Sequence, residues 1–291
     1  YYSFLMYGGK NLKEILRIAA SIELTHFYLL VHDDSMDQAG LRRGYPTVHE
    51  IYKKIYLEKY NGGRHALHFG ESMATNIGDV FNHMSTKIFL EAKFPPELIV
   101  KALHKAHFNF NNVGYGQILD VYSEIADVDE EYVIQVHLFK TGYYTYETPL
   151  HIGAILAGAN KKDLDTLSDY ALPGGISFQI VDDLIDLFST KEQTGKKIGT
   201  DIKEGKKTLL TVKAYENATK SQIKVLDEVL GKREATIKEI EQVKKIIIET
   251  GSVEYSRKEA RKLLIKSTNA LSKAKKGINP CLLYTSDAAD E

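Results

Sequence analysis

Cysteine is nearly missing from this chain of 291 residues: Cys281 is the only one, so no intrachain disulfide can form. A disulfide-stapled scaffold is excluded, and the composition fits a reducing cytoplasm. Basic excess is missing too. The formal net charge is −1, which leaves no electrostatic footprint for a nucleic acid. No run approaches eighteen consecutive apolar residues, so no membrane-spanning helix is expected, and the chain does not read as an integral membrane protein. Prolines number only six. Few breaks and long stretches of 3.6-residue apolar periodicity point to an all-α protein. The 43% of hydrophobic residues suffices for one large core or two ordinary domains.

Against that background two acidic stretches stand out. Residues 28–44 read YLLVHDDSMDQAGLRRG, with Asp33, Asp34 and Asp37 followed by Arg42 and Arg43. On a helix Asp33 and Asp37 share a face. Carboxylates that close repel, and each tends to keep a proton unless a cation intervenes. Mg²⁺ is suited to that place, because it binds through one or two carboxylates plus a substrate phosphate. The guanidinium forks of the arginines suit a phosphate as well. Alone, this stretch fits a solvated helix end with i,i+4 salt bridges equally well. Residues 178–188, FQIVDDLIDLF, repeat the spacing with Asp182, Asp183 and Asp186. They are followed by GKKIGTDIKEGKK at 195–207. Two such motifs, each followed by a basic segment, point to a metal-bridged diphosphate if the helices that carry them face each other.

The rest of the chain reads as helices. YYSFLMYGGK looks like the tail of a helix ended by Gly8-Gly9. A helix runs from Asn11 into the first motif, with Ile15, Ile18 and Ile22 on its apolar side. Pro46 can begin another over 47–60, and a long apolar one follows over about 66–92. FPPE at 94–97 starts a helix that is expected to break near Asn111–Gly114. Asp129 caps the next, which carries Lys140, Thr141 and Tyr144 and should kink at Pro149. Pro173-Gly174-Gly175 should interrupt the helix that carries the second motif. Shorter helices are expected over about 206–218, 221–230, 233–250 and 251–275.

The chain resembles the trans-isoprenyl diphosphate synthases, or polyprenyl synthetases, from about residue 8 to about residue 270. The resemblance rests on DDSMD at 33–37 and DDLID at 182–186, and on LRRGYPTVH at 41–49. GQILD at 116–120, KTGYYTYETPL at 140–150, FQIVDD at 178–183 and GKKIGTDIKEGKKTLL at 195–210 match as well. It implies one helical bundle around a central cavity, over residues 1–275, acting as a homodimer in the cytoplasm. The activity implied is head-to-tail transfer of an allylic diphosphate onto isopentenyl diphosphate. Three Mg²⁺ ions per active site are implied, with Mn²⁺ able to substitute. Asp33, Asp37 and Asp182 resemble direct metal ligands, and Asp34, Asp183 and Asp186 ligands acting directly or through water. Arg42, Lys140, Lys196 and Lys206 resemble clamps on the allylic diphosphate. Arg43 and His26 resemble contacts to isopentenyl diphosphate, and Thr141, Tyr144 and Gln179 resemble residues that steady the reacting carbons. Gln117 and Asp120 match a pair that faces the cavity.

Product length can be argued from spacing. Tyr28 lies five residues before Asp33, about 7.5 Å along a helix. Its ring can floor the tunnel into which the product grows, with the smaller Leu29 beside it. A lone aromatic there resembles archaeal-type synthases of twenty-carbon geranylgeranyl diphosphate. Farnesyl diphosphate is the runner-up. A class I terpene cyclase shares the fold, but the place of its second metal motif holds DDLID here. A non-catalytic subunit would lack an aspartate motif, and both are intact. The two ends depart from the family. Its N-terminal isopentenyl-binding lysine and arginine would lie upstream of Tyr1, so the sequence reads as N-terminally truncated. The last eleven residues, CLLYTSDAADE at 281–291, look like a translated sequencing adapter and not a native tail.

Overall fold

The computed structural model describes residues 1–60, 63–188 and 199–272. Helix dominates them, as the apolar periodicity predicts. Among the described residues the only sheet is a hairpin of two two-residue strands. Contacts group these residues into two units, 11–99 in one and 1–10, 100–188 and 199–272 in the other.

After a short α1 (Tyr2–Met6), which belongs to the second unit, the first unit begins with α2 (Leu12–Met36). Asn11 caps it by accepting a hydrogen bond from the amide of Glu14. By length and composition alone α2 could cross a membrane. Ile15, Ile18 and Val31 are buried, and the buried Thr25 donates a 2.7 Å hydrogen bond to Ser85 of α4 (Ala66–Leu90). Between these helices lie β1 (Leu41–Arg42), β2 (Tyr45–Pro46) and α3 (Val48–Lys59). α3 sits tightly on α4, where a Cβ on Gly70 would come within 2.3 Å of the His49 carbonyl oxygen.

The second unit continues with α5 (Pro96–Tyr122), α6 (Glu130–His137), α7 (Thr148–Leu156) and α8 (Lys161–Phe188). α9 (Thr200–Glu204), α10 (Leu209–Asn217), α11 (Lys220–Val229), α12 (Ile237–Glu249) and α13 (Ser252–Ser272) complete it. One face of α8, with Ile176, Ile180, Leu184 and Leu187, packs into a core shared with Leu209, Leu226, Ile240 and Ile247. The i, i+3, i+4 spacing leaves Gln179, Asp182 and Asp186 off that core face. α1 docks on α7. Phe4 is fully buried, and a Cβ on Gly153 would collide with Ser3.

Three expectations need correction. α5 runs through Asn111–Gly114 without a break. α8 is continuous through Pro173. The Gly-Gly pair after that proline serves close packing: a Cβ on Gly175 would lie 2.6 Å from Gly142 Cα. The predicted kink at Pro149 is absent from its predicted form. Leu138–Glu147 winds instead as a π-helix between α6 and α7, and Pro149 falls in the first turn of α7.

Candidate active site

The first acidic motif closes α2. The amide of Asp37 donates to the carbonyl of Asp33 at 2.9 Å, so the last turn stacks their side chains on one face. Behind it the hairpin folds back. Arg43 and Gly44 have φ of 53° and 82°, the positive values that a two-residue type I′ turn demands. Glycine adopts this freely, whereas Arg43 is strained there. The fold-back brings Arg42 onto the motif. Its Nε lies 2.8 Å from both carboxylate oxygens of Asp34, and its Nη2 lies 2.7 Å from Asp34 Oδ1 and 3.5 Å from Asp33 Oδ2. Asp34 is thereby buried, at 5% exposure. Arg42, proposed from the sequence as a phosphate clamp, is paired with a carboxylate of its own motif. His26 is half-buried; burial lowers its pKa, Glu23 opposes the shift, and Arg43 and Arg42 add to it. Tyr28 and Leu29, both half-buried on α2, precede the acids as expected.

The second motif gathers a larger group. Thr141 on the π-helix donates a 2.7 Å hydrogen bond to Gln179 Oε1 on α8. Gln179 passes a 3.1 Å bond from Nε2 to Asp183 Oδ1. The other oxygen, Asp183 Oδ2, lies 3.3 Å from His137 Nε2, yet it is buried and accepts no hydrogen bond. The π winding and the Gly142–Gly175 contact let these side chains meet. Lys140 is bonded to Asp120 at 2.6 Å. Its backbone amide lies close to α5, 2.6 Å from where a Cβ on Gly116 would sit. Gln117, the other half of the pair expected on α5, is buried at Nε2. Tyr144 is half-buried on the π-helix.

Asp201 belongs to this group, and the sequence reading passed over it. Its amide donates to Asp186 Oδ2 at 3.2 Å. Burial raises its carboxyl well above the usual range. Lys206, 3.7 Å away, opposes that shift, and the nearby charges of Asp186, Asp183 and Glu204 add to it. The GTD spacing held the only signal, an aspartate opening a helix after glycine. Lys206 also pairs with Glu204 at 3.2 Å. Lys196 and the 281–291 tail with Cys281 lie outside the described residues.

A divalent cation fits this donor set. Like-charged carboxyls crowd together, and one buried oxygen accepts nothing. Among the described residues no group of three His, Cys, Asp or Glu side chains is placed to hold a metal ion by itself. Mg²⁺ can bind through one or two carboxylates, with waters and phosphate oxygens as its other ligands.

The sequence model of the family described as polyprenyl synthetase matches residues 1–247. The geranylgeranyl diphosphate synthase of Saccharolobus solfataricus is 32% identical over 282 residues, 95% of this chain and 79% of that protein. The geranylgeranyl diphosphate synthase of Methanosarcina mazei is 31% identical over 249 residues, 85% of this chain and 69% of that protein. Among solved structures, the geranylgeranyl pyrophosphate synthase of Corynebacterium glutamicum, complexed with isoprenyl diphosphate and magnesium, superposes with a TM-score of 0.93. It is 29% identical, and the match covers 100% of this chain and 84% of that one.

Proposed function

The chain belongs to the polyprenyl synthetase family, and we propose that it condenses an allylic diphosphate with isopentenyl diphosphate, head to tail and in trans, to give geranylgeranyl diphosphate. Farnesyl diphosphate is the second reading, because a second ring beside Tyr28, where Leu29 stands, is what would stop the chain at fifteen carbons. The observation that carries the proposal is the second acidic group. Asp183 holds a buried oxygen with no hydrogen bond, and Asp186 lies against Asp201. Carboxyls crowded in this way suit divalent cations and a diphosphate.

In this reading residues 1–275 form the catalytic domain. Asp33, Asp34, Asp37, Asp182, Asp183 and Asp186 hold three Mg²⁺ ions, for which Mn²⁺ can substitute. The ions supply charge that stabilises the departing diphosphate. Arg42, Lys140, Lys196 and Lys206 grip the allylic diphosphate, and Arg43 and His26 grip isopentenyl diphosphate. Thr141, Tyr144 and Gln179 turn hydroxyl and amide dipoles toward the positive charge that develops as the C–O bond breaks. The alkene of isopentenyl diphosphate attacks the allylic carbon, and a proton leaves the adduct to the released diphosphate, so no protein base is assigned. The walls must exclude water, which would trap the cation as an alcohol.

A second copy of the chain is part of the proposal. The exposed face of α5 carries Val100, Phe108, Tyr115, Ile118 and Tyr122, which fall on one side at helical spacing. That face supports a homodimer; a place in the cytoplasm is proposed from the family resemblance alone. The test of function is a product assay with Mg²⁺, isopentenyl diphosphate and each of dimethylallyl, geranyl and farnesyl diphosphate. The alcohols are sized after dephosphorylation. Twenty-carbon product should appear and fall at least about 100-fold in Asp33→Asn and in Asp182→Asn, the scale of losing one preorganised electrostatic group. A folded chain that makes no product, or product indifferent to both substitutions, refutes the proposal.

A further inference from the structure

Tyr28 does not stand alone. Its ring meets the imidazole of His32, one turn further along α2, edge-on with centroids 4.7 Å apart and planes at 69°. His32 is anchored in turn on α4. Its Nε2 lies 3.1 Å from the Thr75 carbonyl oxygen and 3.6 Å from Asp79 Oδ1. Between these two anchors sits Gly78. A Cβ there would lie 2.4 Å from both Cδ2 and Nε2 of His32 and 3.4 Å from Cδ2 of Tyr28. Gly78 lies inside a helix, where glycine is unfavourable relative to alanine. The missing Cβ opens a notch that admits both rings.

We infer that His32 and Gly78 set the product length: His32 is a positioning residue that props the Tyr28 ring, and Gly78 is the notch in α4 that seats the pair. This rests on the reading of Tyr28 as the floor under the growing chain. Tyr28 is backed on its α4 side by His32 and Gly78, so the chain meets the ring from the side away from α4. Two opposite effects follow. Removing the prop lets the ring fall back and lengthens the product. Filling the notch pushes both rings toward the chain and shortens it.

The experiment uses the full chain with Mg²⁺, dimethylallyl diphosphate and excess isopentenyl diphosphate, and reads the length of the dephosphorylated alcohols. His32→Ala should shift the main product up by one five-carbon unit. His32→Phe keeps a ring in place and should keep the parent length. Gly78→Ala should shift the main product down by one unit. Loss of stability lowers the amount of product without changing its length, so length separates positioning from a merely structural role. Tyr28→Ala is the control on the underlying reading and should lengthen the product. If Tyr28→Ala lengthens it while His32→Ala keeps the parent length, the inference is overturned and the floor stands. If Tyr28→Ala keeps the parent length, the floor and its prop are overturned together. A silent His32→Ala leaves Gly78→Ala to decide, and parent-length product from that variant overturns the inference.

Discussion

Gly175→Ala probes the contact that joins α8 to the π-helix. The added Cβ would lie 2.6 Å from Gly142 Cα and 3.2 Å from Gly142 N. Both are backbone atoms, so no flexible side chain can yield, and the π-helix must retreat by about 0.8 Å to reach ordinary contact. The Thr141–Gln179 hydrogen bond, 2.7 Å in the parent, would stretch to the edge of hydrogen-bonding range, a loss of about 0.5–1.5 kcal/mol. Overpacking costs about 1–3 kcal/mol, and alanine's better helix propensity returns about 1 kcal/mol. The net expectation is a loss of about 1–3 kcal/mol, and each kcal/mol lowers Tm by roughly 2–4 °C for a chain of this size. Thr141 and Gln179 would move with the backbone. A misplacement near 1 Å can cost about 100-fold in rate, so kcat/KM for farnesyl diphosphate should fall about 10- to 100-fold. Thermal melts and steady-state condensation rates measure both effects. A Gly175→Ala protein that melts with the parent and turns over at the parent rate would refute the reasoning.

Two further predictions concern stability and assembly. His151 is 4% exposed; burial pushes its pKa down to about 4, Glu147 opposes the shift, and Lys105 adds to it. The unfolded imidazole titrates near 6.5. The His151 contribution is therefore fully present above that value and is lost as pH falls toward 4. Asp201, shifted upward, works in the opposite sense, so the comparison is made against a variant. The stability gap between the parent and His151→Gln should close by about 2 kcal/mol between pH 7.5 and pH 5, measured by urea denaturation, and a constant gap would contradict it. Ile118→Lys places a charge on the exposed face of α5 and should turn a dimer into a monomer in sedimentation velocity. An unchanged sedimentation coefficient would remove that face from the interface.

The long periodic stretches were legible because their apolar residues recur at helical spacing over many turns. α2, α4 and α8 appear close to where that spacing puts them, with the acids at the ends of α2 and α8. The Asp129 cap was legible too, and its carboxylate accepts from the Tyr132 amide at 2.9 Å. What stayed hidden depends on contacts between distant segments. A hairpin of two-residue strands has no periodicity, and only its φ angles show why a glycine follows Arg43. Pro173 and its glycines look like a break in one dimension. Their role becomes visible only beside Gly142, 33 positions earlier in the chain. The partners of Arg42 and Lys140 were illegible for the same reason. A cation placed for phosphate and one placed for a carboxylate look alike in a sequence.

The π-helix has one more consequence. A π turn is an α turn with a residue inserted, so the chain between Leu138 and Glu147 holds a spare residue. An α-helix advances about 100° per residue. Deleting one position there would let the backbone rejoin as an ordinary α-helix with the stretches on either side still in phase, whereas α winding of the full sequence would set them apart by that angle. Val133 and Val136 before the segment and Ile152 and Ile155 after it are all buried, yet no single α-helical phase is required to serve both pairs. The insertion acts as a phase adjuster between two amphipathic stretches. It joins them in one run, each keeping its apolar side inward, and leaves Lys140 and Thr141 at the azimuths that reach Asp120 and Gln179.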